Sequence, residues 1–249
     1  MNEFKTLTEF LTAFNTEDAC RKHFETIRFA DGDFCPHCKH DKIMRFSDGK
    51  RYRCHNCKKD FTIKTGTLFG ESKIPLQKWF IAIYLLTTRK KGISSIELAQ
   101  QVGVSQKTAW FMDMRIRESL KQGKGKLIGI VEADETYLGG RHKMKEGRSR
   151  KSAIMGMTER GGEMRAMQIP NRETHIVLNA LTENVARDAH LMTDDAGVYR
   201  KVERIGYKHD SVKHSRRLYV RGNVHTNSIE SFWALFKRNY HGTYHSMSK

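Results

Sequence analysis

The sequence predicts an α/β fold class, with a C-terminal α/β domain behind two smaller modules and a helical lead-in. Three observations carry that prediction. An apolar, β-branched run closed by acids and glycines stands at 127–140, reading LIGIVEADETYLGG. Two CxxC pairs lie in the first quarter of the chain, and residues 75–120 keep a helical spacing of apolar side chains. Four to eight apolar residues ended by a glycine turn mark a buried strand, whereas spacing by three and four marks a helix. A length of 249 residues accommodates one large domain or two to three small ones.

Charge narrows the partner. The net charge of +17 favours a polyanion through neutralisation and counterion release, so nucleic acid is the expected ligand. An anionic membrane surface is the rival, but no long basic amphipathic helix supports it. There is no apolar run of membrane-spanning length and no signal peptide, so a soluble intracellular protein is expected. Of the five cysteines, four form the CxxC pairs, which indicates a metal site rather than disulfides.

In chain order, residues 1–30 place Phe10, Leu11, Phe14, Ala19, Phe24 and Ile27 at helical spacing, and Asn15 or Thr16 before Glu17 reads as a helix start. Two short helices are predicted. Cys20 falls in the second, as buried filler rather than a reactive thiol. Residues 31–70 hold Cys35, Cys38, Cys54 and Cys57. Two knuckles at this separation supply four thiolates for a tetrahedral, structural zinc, with Tyr52, Arg53, Phe61 and Ile63 in short strands around them. A redox dithiol needs only one CxxC, so the second pair argues for a zinc ribbon. Residues 71–122 predict helices: Ser94 with Glu97 forms a capping box, Gly103 makes a tight turn and Ser105 caps the next helix. That is helix-turn-helix spacing, with Gln106, Lys107 and Thr108 at the exposed start of the DNA-reading helix. A plain helical hairpin is the competing reading.

Residues 127–249 form the last unit. Along the first strand Glu132 and Asp134 share a face and Glu135 points away. Carboxylates in a core strand are costly unless paired or bound to a cation, so a salt-bridged strand end and a metal ligand are the two readings. A basic loop is expected over 141–152, strands over 153–157 and 163–169, and a helix over 174–188. A short strand over 189–193 delivers Asp194 and Asp195 at its C-terminal end, where α/β sheets place their sites. Residues 199–205 read as helical, 213–221 as partly extended. In the last helix Ile229, Phe232, Trp233 and Phe236 share a face, while Glu230 and Lys237 lie two turns apart on another.

The order EADETYLGG, TDD with a following tyrosine, then HTNSIESFW and KR resembles the acidic-triad (DDE) transposases of bacterial insertion sequences. It is most similar to the group with a zinc ribbon and helix-turn-helix head, across nearly the whole chain. The resemblance implies an RNase H-like catalytic domain at 127–249. It implies Asp134, Asp194 and Glu230 as catalytic acids holding two Mg²⁺ or Mn²⁺ ions, with Asp134 bridging both. Lys237 and Arg238 would contact DNA near the cut. Asn227 is the alternative third member, since some relatives use an asparagine; Glu230 is preferred because a carboxylate suits a hard cation better than an amide. It also implies metal-dependent cleavage at element ends, attack of the freed 3′-hydroxyl on target DNA, action as a homo-oligomer on double-stranded DNA, and a cytoplasmic, nucleoid-associated location. Such enzymes normally continue with a further C-terminal helix, so a shortened C-terminus is expected here. Two other functions compete: a non-catalytic zinc-ribbon DNA-binding regulator, and a nuclease that cuts without joining.

Overall fold

The computed structural model describes residues 4–120, 125–139, 151–212 and 220–245. The chain divides into two units, Met1–Lys121 and Gln122–Lys249.

The first unit opens with α1 (Leu7–Ala13) and α2 (Glu17–Arg28), whose starts are capped by the hydroxyls of Thr6 and Thr16. Of the two expected caps for α2, Thr16 is the one used. A three-stranded antiparallel sheet follows, β1 (Ile43–Arg45), β2 (Arg51–Cys54) and β3 (Asp60–Thr62), in that order. Next come α3 (Leu76–Thr88), α4 (Ser95–Val102) and α5 (Gln106–Ser119). Ser94 and Ser105 accept from the amides of Glu97 and Thr108, and Gly103 turns the chain at φ +68° between α4 and α5. Each such cap contributes about 1 kcal/mol. Pro75 offers α3 no side-chain cap; the carboxylate of Glu17 accepts from Leu76 and Gln77 instead, at 2.8 and 3.1 Å. Small sheet and helices share one core, from Phe10, Phe14 and Cys20 through Tyr52 and Phe61 to Trp79, Leu98 and Met112. Burial pushes the Cys20 thiol up to about 11, so it is packing material.

The second unit is a five-stranded mixed sheet in the order β6-β5-β4-β7-β8. Its strands are β4 (Ile130–Leu138), β5 (Ser152–Glu159), β6 (Met164–Ile169), β7 (His190–Asp194) and β8 (Lys208–Val212). The first three pair antiparallel, and β7 and β8 join parallel. Helix α6 (Thr174–Asn184) shares a core with one face, through Val177, Leu181, Val131, Ala133 and Leu191. A small hairpin, β9 (Val220–Arg221) and β10 (Val224–His225), leads into α7 (Asn227–Asn239), which packs on β4 and β5. Among the described residues no helix is long and apolar enough to cross a membrane.

Several boundaries depart from the sequence reading. The first strand begins at Ile130, because Gly129 at φ +68° breaks the run, and it continues through the acids to Leu138 rather than ending in them. Helix α6 stops at Asn184: Val185 turns extended and bridges Leu127, closing the chain against the sheet. The helix expected over 199–205 is two 3₁₀ turns, Gly197–Lys201 and Glu203–Ile205. Strand β8 escapes prediction because it is polar, with Val212 its one buried side chain. The basic loop (141–150), most of the 121–126 linker, 213–219 and the final 246–249 lie outside the described residues.

Gly156 is a further requirement of the fold. It sits opposite Asp134 in the β4–β5 ladder, and a Cβ there would lie 2.5 Å from Cζ2 of Trp233 on α7. Gly156→Ala is expected to lower stability by about 1–3 kcal/mol through overpacking. Urea midpoints measure this, and Trp233→Phe in the same background should recover part of the loss. No loss in Gly156→Ala would mean that α7 does not need this close approach.

Candidate active site and metal centre

The four cysteines converge. Their sulfurs all lie within 4.8 Å of one another, with Cys35–Cys57 at 3.7 Å and Cys38–Cys54 at 3.5 Å. A tetrahedron with Zn–S bonds of about 2.3 Å requires S···S separations near ~3.8 Å, so the set fits a structural zinc. Each knuckle repeats one local design. The amides of His37 and Asn56 donate to Cys35 and Cys54 at 3.4 and 3.3 Å, and Lys39 and Lys58 turn at positive φ just after the second cysteine of each pair. The His40 amide is the main influence lowering the Cys38 thiol, while burial and hydrogen bonds to the other three cysteines raise that of Cys57, as sulfurs sharing protons in one cluster do.

In the second unit the acids separate by role. Strand β4 pairs with β7 only as far as Glu132 opposite Met192; β7 ends two residues later at Asp194. Asp134 and Asp194 each lie two residues beyond the last pair, near enough for the Asp194 carboxylate to act on that of Asp134. Burial first, then the Asp194 carboxylate, pushes the Asp134 carboxyl up to about 6. Asp194 is fixed by the Ala196 amide, which donates to its Oδ1 at 3.0 Å. Asp195 is exposed.

Glu135, on the opposite face, is taken by Arg172 at 2.6 Å and by the buried Tyr199 hydroxyl, which donates to it. Burial and this carboxylate raise the Tyr199 phenol well above its ordinary range. Glu132 is fully buried and ion-paired to Arg160 at 2.8 Å. The salt-bridged reading thus holds for Glu132 and Glu135.

Glu230 is exposed on the first turn of α7, its Oε1 accepting from the Thr226 hydroxyl at 2.8 Å. Among the described residues no second cluster of three metal-capable side chains converges as the cysteines do. Asn227 opens α7, and Lys237 and Arg238 lie exposed in its last turn. In the first unit Gln106 and Lys107 are exposed at the start of α5; Gln106 donates to Ser95 Oγ at 2.9 Å, and the hydroxyls of Thr108 and Ser105 lie 2.8 Å apart. The sequence reading did not single out Arg160, Arg172 or Gly156. Their partners are too distant along the chain for any local pattern to show.

Comparison with known proteins identifies both domains. Residues 126–249 match the family described as ISXO2-like transposase domain, and residues 15–60 match the transposase zinc-ribbon domain. An uncharacterized protein in transposable element ISH50 of Halobacterium salinarum is 29% identical over 251 residues, covering 92% of this chain and 84% of that one. A solved structure, the Mos1 strand transfer complex, aligns at 14% identity over 61% of this chain and 63% of that one, with a TM-score of 0.28. The fold class is α/β, with a transposase catalytic domain following a zinc ribbon along the chain. With both matched segments in their expected order, the chain belongs to the ISXO2-like, zinc-ribbon family of insertion-sequence transposases.

Proposed function

We propose that this transposase binds the ends of its element and performs metal-dependent DNA cleavage and strand transfer, with Asp134, Asp194 and Glu230 as its acidic triad. The observation that carries this reading is that Asp134 and Asp194 lie just past the end of the β4–β7 pairing, where the Asp194 carboxylate acts on that of Asp134. The C-terminal ends of parallel strands are where α/β sheets place chemistry. Two neighbouring carboxylates, one already resisting ionisation, suit a divalent cation that would relieve their repulsion. Bound Mg²⁺ or Mn²⁺ would activate a hydroxyl nucleophile and stabilise the leaving oxygen. Asp134 and Asp194 would hold the metal from the sheet, and Glu230 from α7, with Asn227 the alternative donor on that helix.

The remaining residues deliver DNA. Helices α4 and α5 would act as a helix-turn-helix, with Gln106, Lys107 and Thr108 facing base edges. Lys237 and Arg238, two turns beyond Glu230, would hold phosphate oxygens near the cut. The protein would act on double-stranded DNA as a homo-oligomer in the cytoplasm, at the nucleoid. The test is incubation of the purified chain with Mg²⁺, duplexes carrying the element's own ends, and a target plasmid. Cleavage at the ends with joined products is the expected outcome. Cleavage without joining would reduce the protein to a nuclease, and binding without cleavage to a regulator.

A further inference from the structure

Glu132 shares a face with Asp134 and could be dismissed as half of a buried ion pair. Its contacts say more. Thr226, the residue before α7, makes no side-chain cap to that helix, because its hydroxyl is given to Glu230. The cap comes from Glu132: its Oε2 accepts the amides of Ser228 and Ile229 at 2.8 and 3.1 Å, and its Oε1 lies 3.2 Å from the Ser228 hydroxyl. Arg160 donates to Oε1 and to the carbonyls of Asn223 and His225 at 2.8 and 2.9 Å, fastening the segment that enters α7. The His225 ring nitrogen Nδ1 lies 3.2 Å from the same carboxylate oxygen. A fully buried carboxylate survives only with such compensation, and helix-terminal amides supply part of it.

We propose that Glu132 is the positioning residue for the third acid, setting Glu230 relative to Asp134. This rests on the reading of Glu230 as that acid. The logic is one of short, stiff connections. Glu132 and Asp134 are two residues apart on one strand, and Glu230 directly follows the amide that Glu132 grips. Strand β4 therefore carries one acid and anchors the helical turn that carries another. Arg160 alone would satisfy the charge. The two amide bonds couple the strand to the helix.

Reach and charge can be separated. Glu132→Asp keeps the charge and loses the reach; Glu132→Gln keeps the reach and an oxygen able to accept both amides, and loses the charge. In the full chain, Mn²⁺ affinity without DNA, read by electron paramagnetic resonance, is measured beside end cleavage, with melting curves confirming that each variant folds. Glu132→Asp is expected to lose about ten-fold or more in both readouts, while Glu132→Gln stays within about three-fold. In a Glu230→Ala background, Glu132→Asp should add no further loss, since it acts through Glu230. If Glu132→Asp outperforms Glu132→Gln, or its loss adds fully to that of Glu230→Ala, positioning is overturned and the triad stands. If Glu230→Ala alone leaves both readouts unchanged, Glu230 is not the third acid and the proposal falls with it.

Discussion

Asp134→Asn is expected to lower Mg²⁺-dependent cleavage by roughly three orders of magnitude while making the metal-free protein more stable at neutral pH. The two effects share a cause. Burial and Asp194 raise the folded-state carboxyl of Asp134 to about 6, so in the metal-free fold its charge is disfavoured. A carboxyl raised on folding leaves the folded state most stable below the unfolded value, near ~3.8, and stability is lost as pH rises through about 6. The shift corresponds to at most about 3 kcal/mol, and solvent screening at this partly exposed side chain lowers it. Asn cannot ionise and escapes that loss. The melting temperatures of parent and variant should therefore nearly coincide at pH 4 and diverge as pH rises to about 6, with the variant higher and the gap constant above that. Added Mg²⁺ should close the gap from the parent's side alone, increasingly as pH rises, because it binds the ionised pair. Equal cleavage by the variant would remove Asp134 from the site. A gap independent of pH would mean that Asp134 is not held as an unfavourable charge.

How far this site was legible in the sequence follows from the range of its contacts. The apolar run into Glu132, Asp134 and Glu135 marked a strand, and alternation placed Glu132 and Asp134 on one face, as found. Alternation cannot say which acid is free to bind a cation. That depends on Arg160 and Arg172, which occupy Glu132 and Glu135, and on Asp194, which acts on Asp134 from a neighbouring strand. The helix caps at Thr16, Ser94 and Ser105 were readable because cap and amide lie three residues apart. The cap that Glu132 gives α7 spans 96 residues and had no local signature. Strand β8 was missed for a different reason: KHDSV has no apolar alternation, and its place at the sheet edge beside β7 depends on backbone pairing. Gly156 looked like any strand glycine until Trp233 was seen against it.

Cys38→Ser is expected to have the largest effect on folding, and its exposure makes the result easy to interpret. Cys35 and Cys54 are buried, so replacing either would disturb packing as well as ligation. Cys38 is exposed, and serine there leaves no cavity and buries no new group. Any unfolding must come from the lost thiolate. A four-thiolate zinc contributes on the order of 10 kcal/mol or more at neutral pH, comparable with the entire stability of an ordinary domain. The loss should not stay within the ribbon, because Tyr52 and Phe61 belong to the same core as Phe69, Trp79 and the helices that follow. Hydrogen exchange is thus expected to show lost protection across α2, β2, β3 and α3 together, with zinc content falling well below one per chain. Cys20→Ser is the control: it alters the same core without touching the tetrahedron, so it should keep its zinc. Full zinc in Cys38→Ser would contradict the four-thiolate site. Zinc loss with α3 still protected would instead show that the helical core stands without the metal.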